Sequence, residues 1–161
     1  MPKLIKDHQI IDDNWVIIDA DFEGELPKQP VLVPLNYWLE NKASLSDRAD
    51  VGVWLDSHEE PSAIATDSKE LPVIAINFPK FADGRGYSYA RILRERFNFE
   101  GELRAIGDVL LDQLFYMKRC GFNAFDVRSD RDIEVALTGL NAFTNSYQAA
   151  SDQPTPLFRR R

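Results

Sequence analysis

Apolar residues along this chain come in short uninterrupted runs rather than in strict alternation. From residue 31 the runs are Val31-Leu32-Val33, Val51-Gly52-Val53-Trp54-Leu55, Leu71-Pro72-Val73-Ile74-Ala75-Ile76, Leu103-Arg104-Ala105-Ile106 and Ala124-Phe125-Asp126-Val127. Runs of this length and composition predict strands buried on both faces, as in parallel sheets. Between them the spacing changes to that of helices. Leu35 to Lys42 carries Tyr37-Trp38-Leu39, and the helix expected over 87–97 repeats Ala90, Leu93 and Phe97. Asp108 is a good cap for a helix with Leu111, Leu114 and Phe115 on one stripe, which Gly121 stops. Ser129-Asp130-Arg131-Asp132 reads as the capped start of a last helix bearing Ile133, Ala136, Leu137 and Leu140. Pro61 to Asp67 reads as a short helix or turn.

The flanks differ. Residues 1–20 predict a β-hairpin, with Leu4-Ile5, Ile10-Ile11 and Trp15-Val16-Ile17-Ile18 around polar Asp7-His8 and Asp12-Asp13-Asn14. Asp21 to Pro30, with Gly24, Pro27 and Pro30, is a linker. The pattern fades after Asn141, and 148–161 reads as an extended tail. The expected fold is therefore one α/β domain over 1–161: the hairpin at 1–20, an α/β core at 31–143 and the tail. Its sheet is parallel, of about five strands with intervening helices and right-handed connections. An open doubly wound sheet and a half-barrel both fit.

Charge narrows the partners. Residues 1–70 hold 6 Lys/Arg against 15 Asp/Glu, and residues 71–161 hold 13 against 11, within a net charge of −7. An acidic half and a nearly balanced half supply no clustered basic footprint for nucleic acid. No apolar run is long enough to cross a membrane, and Met1-Pro2-Lys3-Leu4-Ile5-Lys6-Asp7 meets charge too early for a secretory core, so the cytoplasm is the expected compartment. Cys120 is the single cysteine, which excludes an intrachain disulfide and a cluster held by four thiolates of this chain. His8 and His58 lie far apart with no metal-ligand spacing, and no metal site is expected.

The stretch Phe78-Pro79-Lys80-Phe81-Ala82-Asp83-Gly84-Arg85-Gly86-Tyr87-Ser88 joins a strand to a helix. Such loops gather at the carboxyl ends of parallel strands, where ligands bind. Gly84 and Gly86 permit close approach of backbone, while Lys80 and Arg85 bring positive charge. Together they suggest a site for a small phosphate- or sulfate-like anion, with Asp83 as candidate acid or base; a tight turn with solvated charges is the plainer alternative. The same rim would collect Asp56, Asn77, Gly107, Asp108, Arg128 and Asp130, so Asp108 and Arg128 join the candidate ligand-binding set. Arg104, inside a strand, needs a carboxylate, and Glu102 or Asp126 can supply one. Gln113, Tyr116 and Arg119 share a helix face suited to a surface contact. Cys120 reads as a packing residue. Phe158, Arg159, Arg160 and Arg161 form a candidate docking tail, with an aromatic anchor and arginines for an acidic partner.

Phe78-Pro79-Lys80-Phe81, Asp83-Gly84-Arg85-Gly86-Tyr87-Ser88 and Ala90-Arg91 resemble a bacterial family described as oxidoreductases of sulfite reduction. The resemblance continues through Gly101-Glu102-Leu103-Arg104-Ala105, Gly107-Asp108-Val109, Asp112-Gln113-Leu114, Arg119-Cys120-Gly121-Phe122 and the closing Pro156-Leu157-Phe158-Arg159-Arg160-Arg161. Members are typically encoded beside the sulfite reductase hemoprotein. The resemblance thus implies a place in assimilatory sulfate reduction, with that hemoprotein as partner, and names no cofactor or catalytic residue. The chain shows no iron–sulfur or haem ligation and no familiar flavin or nicotinamide fingerprint. An electron carrier built on it would hold a flavin at an unfamiliar site or borrow its partner's cofactor. An accessory protein of sulfite reduction is the first expectation, and a free-standing enzyme or sensor with an anionic ligand at 78–88 is the alternative.

Overall fold

The computed structural model describes residues 2–80 and 82–140. Among them, eight strands form a single curled sheet of half-barrel shape. In chain order the strands are β1 (Lys3–Lys6), β2 (Gln9–Asp12), β3 (Val16–Ile17), β4 (Val31–Pro34), β5 (Val51–Leu55), β6 (Val73–Phe78), β7 (Glu102–Gly107) and β8 (Ala124–Phe125). Four α-helices accompany them: α1 (Leu35–Leu45), α2 (Arg85–Arg91), α3 (Leu114–Cys120) and α4 (Ile133–Leu140).

Strands β3 to β8 are parallel and lie side by side in sequence order, while β1 pairs antiparallel with β8 and β2 antiparallel with β1. The five expected parallel strands are β4 to β8, and their consecutive order selects the half-barrel over the doubly wound sheet. Two expectations change. The sheet is mixed and has eight strands, because the amino-terminal segment contributes three of its own. The hairpin is shorter than 1–20, turning at Asp7 and His8, which both take positive φ (48° and 66°). The run at 15–18 leaves it and pairs parallel with β4 at the opposite edge, Val16 against Val31 and Ile17 against Leu32.

The two sheet faces are packed differently. On one, Val31, Val33, Val53, Ile74, Ile76, Leu103 and Ala105 share the main core with Trp38 of α1, Leu93, Leu114 and Met117 of α3, and Ala136 of α4. On the other, the inner face of the curl, Leu32, Trp54, Val73, Ala75 and Ile106 meet Trp15, on the segment that crosses from β2 to β3. The Trp54 indole N–H donates to the Ile18 carbonyl at 2.8 Å and secures the end of that crossing. With both faces covered, the strands need the unbroken apolar runs they have.

Helix boundaries are set locally. The helix expected from Asp108 begins later: a 3-10 turn covers Leu111–Gln113 before α3, and Asp108 turns its carboxylate to Arg128 instead of to a helix end. Gly121 ends α3 at φ 122°, as expected of a left-handed stop. Asp132 caps α4 by accepting from the Glu134 N–H at 2.9 Å. α2 runs on into a π-helical segment, Ile92–Arg96, where the Phe97 N–H reaches back to the Ile92 carbonyl at 3.2 Å.

Candidate functional site

The carboxyl ends of β5, β6, β7 and β8 form one rim, as parallel pairing requires. At β5 the chain continues into Asp56, Ser57 and His58. The Asp56 carboxylate accepts from the Ser57 N–H at 2.8 Å and from the Asn77 amide at 3.1 Å, tying the ends of β5 and β6 together. At β7, Gly107 takes φ 90°, and a Cβ there would collide with the Asn77 side chain and the Phe78 carbonyl. The following Asp108 N–H then donates to the Phe78 carbonyl at 2.7 Å. These bonds draw the sequence-selected residues together: Lys80, Asp83, Gly84, Arg85 and Gly86 on the β6 loop, and Asp108 and Arg128 on the β7 and β8 loops.

The arginines on this rim are paired within the chain. The Arg85 guanidinium donates to Asp83 at 2.8 Å and 3.1 Å and to the Ser57 hydroxyl at 3.0 Å. Those bonds, with the Arg85 backbone N–H, hold the Asp83 carboxyl well below the usual carboxylate range. Arg128 donates to Asp130 at 2.7 Å and 3.0 Å and to Asp108 at 2.7 Å. Lys80 is exposed, and its ammonium has no hydrogen bond or ion pair among the described residues, although its carbonyl accepts from the Asp83 N–H at 3.0 Å. Gly84 keeps a negative φ, and a Cβ there would come no closer than 3.9 Å to a neighbour, whereas the close approach at Gly86 is to the Phe78 ring, 2.7 Å from where a Cβ would sit, so Gly86 serves the turn's packing. The docking tail, Phe158, Arg159, Arg160 and Arg161, lies outside the described residues, as does Phe81 of the loop.

Beneath the rim, on the inner face, lies a buried charge cluster. Arg104 of β7 is 1% exposed. Its Nε donates to Glu102 at 2.7 Å, and its Nη1 donates to both Asp13 oxygens at 3.1 Å and 3.2 Å. Lys6 of β1 reaches the other Glu102 oxygen at 3.0 Å. Glu102 is thus one expected partner of Arg104, while the second is Asp13, ninety-one residues away in sequence, and not Asp126. Asp126 borders an open cleft of about 520 Å³ with Gly107, Val127, Arg128, Ser129 and Asp130. Burial pushes its carboxyl pKa up, the Asp13 charge adds to the rise, and Arg104 opposes it.

Sequence spacing placed Asp126 only as a partner for Arg104. Its position two residues past Ala124, the register partner of Arg104, was the available signal for the inner face. Of the proposed surface face on α3, Tyr116 is 55% exposed and packs at a tilt against Tyr87 with centroids 5.0 Å apart, whereas Arg119 is buried. Cys120 is buried in the main core.

Among the described residues no group of three or more His, Cys, Asp or Glu could hold a metal, and no helix is long and apolar enough to cross a membrane. A flavin phosphate placed on this rim would meet guanidinium groups already bonded to carboxylates, a poor fit for that cofactor. The family model described as "Bacterial protein of unknown function (DUF934)" matches residues 52–158, two thirds of the chain. No curated protein matches, and no solved structure matches.

Proposed function

The chain belongs to this bacterial family of unknown function, and on that premise we propose that it is an accessory protein of assimilatory sulfite reduction, acting with the sulfite reductase hemoprotein. The pathway and the partner rest on the residue resemblance, which is densest over 71–126 and includes the closing Pro156-Leu157-Phe158-Arg159-Arg160-Arg161. The observation that carries an accessory role over a small-anion enzyme is the closure of the rim's ion pairs. Arg85 holds Asp83 and Arg128 holds Asp108 and Asp130, all at hydrogen-bond distance. To grip a sulfate-like anion each guanidinium would first release a carboxylate that binds it bidentately. A protein partner, by contrast, can exchange such exposed pairs one for one across an interface and draws orientation and encounter rate from them. Asp56, Glu59 and Asp126 leave the rim with more carboxylates than cations, which suits a basic surface opposite.

The test is co-purification of the full chain with the hemoprotein at low and high ionic strength. A complex is expected at about 50 mM salt and should weaken severalfold at about 500 mM, as the screening length contracts. Replacing both Asp108 and Asp130 by Lys should abolish it. Absence of any complex at low salt overturns the proposal. One observation favours the alternative enzyme or sensor: the exposed ammonium of Lys80, unpaired among the described residues, beside the paired arginines. That reading requires saturable sulfate binding that Lys80→Ala removes, with complex formation unaffected.

A further inference from the structure

At the opposite end of the sheet from the rim, the amino-terminal ends of the parallel strands enclose a second pocket, of about 240 Å³. Phe122, Phe125 and Leu140 give it an apolar lining, and Arg94 and Lys118 bring two cationic groups to it. Arg94 lies in the π-helical segment after α2, and its guanidinium is half-buried with no carboxylate bonded to it among the described residues. Its Nε donates to the Gly121 carbonyl at 2.9 Å, and its Nη1 donates to the Phe99 and Gly101 carbonyls at 2.8 Å and 2.9 Å. The Phe99 ring packs under the group with its centroid 5.4 Å away. All these partners are neutral, so the positive charge is oriented and solvated but not cancelled, and Nη2 keeps its donors. Burial accordingly pushes the Arg94 pKa down, with the Asp7 charge opposing. The Lys118 ammonium makes no ion pair or hydrogen bond among the described residues, while its backbone carbonyl accepts from the Gly121 N–H at 3.0 Å.

The opposing charges are few. Asp7, in the hairpin turn, borders the pocket alongside His8, and the carboxyl end of α3 points toward it. Asp7 forms no ion pair with either cation, and the Arg94–Gly121 bond already answers the end of the helix. One carboxylate faces two permanent cations, so the pocket carries a net positive charge in a protein of net charge −7. Gly121 keeps that arrangement open: at φ 122°, a Cβ there would lie 2.5 Å from the Arg94 Cγ.

We propose that this pocket binds a small organic anion, an acidic group such as a carboxylate or sulfonate on an apolar body. The acidic group sits between Arg94 and Lys118, and the body lies against Phe122, Phe125 and Leu140. Cavities of about 150 Å³ hold benzene, so a ring bearing one acidic group is of the right size. The site is separate from the rim and does not depend on the accessory role.

Titration of the full chain with benzoate, benzyl alcohol and benzylamine, followed by amide resonances in two-dimensional NMR, tests it. Benzoate should bind one-to-one and saturably, shifting Gly121, Asn123 and Leu140. Benzyl alcohol should bind at least tenfold more weakly and benzylamine not at all. Lys118→Gln should weaken benzoate about tenfold while leaving the urea unfolding midpoint unchanged, so that loss of binding is not loss of fold. Benzoate binding no tighter than benzyl alcohol, no saturable shift, or unchanged affinity in Lys118→Gln each overturns the proposal.

Discussion

Arg104 shows how one residue constrains distant chain. A guanidinium at 1% exposure must be fully paired, and its two carboxylates come from its own strand and from Asp13 on the crossing segment. Asp13→Ala should therefore cost about 2 to 3 kcal/mol in urea unfolding, because it strands part of a buried charge. Adding Arg104→Met to Asp13→Ala should recover part of that loss, since a buried apolar side chain needs no partner. Asp126 behaves in the opposite sense. Its carboxyl holds its proton more tightly folded than unfolded, so it favours folding below the ordinary carboxylate range. That contribution is withdrawn as pH rises through its elevated value. Asp126→Asn, neutral throughout, should be more stable than the parent at pH 7, and the difference should shrink as pH falls through about 4. Paired unfolding curves at the two pH values check both the sign and the trend. The need of Arg104 for a carboxylate was legible in the sequence, because charge inside an apolar run is conspicuous. Asp13 was not, because Asp12-Asp13-Asn14 has the composition of a turn and nothing local tells that its second member faces a strand ninety-one residues on.

Elements of the parallel core follow their sequence patterns closely. β4 to β8, α1 and α4 lie where unbroken apolar runs and helical spacing place them, since burial on both faces leaves those runs one structural solution. The departures occur where local chemistry competes. Asp108 has the residue type of a helix cap, yet Arg128 offers its carboxylate a stronger, charge-assisted bond, and α3 begins only at Leu114. The helix after the 78–88 loop was legible, but its widening into a π segment was not, because apolar spacing near 3.6 hardly distinguishes the two over one turn. Two residues past that segment, Asn98 takes φ 53°, a conformation that Asn tolerates and branched side chains resist. Asn98→Val should lower stability by about 1 to 2 kcal/mol and Asn98→Gly should not, as judged by urea midpoints.

At the scale of the whole molecule, the rim and its opposite end have different electrostatic character. The rim pairs its arginines with its own carboxylates and keeps acid in excess, while the far pocket leaves Arg94 and Lys118 without carboxylate partners among the described residues. The parallel topology that brought Lys80, Asp83, Arg85, Asp108 and Arg128 to one edge was readable from strands alternating with helices. The pairing of those charges was not, because spacing in sequence carries no information about which rotamers meet across adjacent loops. The amino-terminal segment was the hardest part to place, since β1, β2 and β3 are short and their partners lie at both ends of the sheet.

That placement has a consequence during synthesis. Strand β1 is made first, yet its neighbour β8 pairs Phe125 with Ile5, so residue 5 must wait for residue 125. At translation rates of about 5–20 residues per second, the wait is roughly 6 to 24 seconds. Through that interval the nascent chain can zip β3 to β7 one after another, each new strand finding its predecessor already in place. The hairpin meanwhile trails as an unpaired ribbon with Ile5 uncovered, open to chaperones or to a neighbouring nascent copy on the same message.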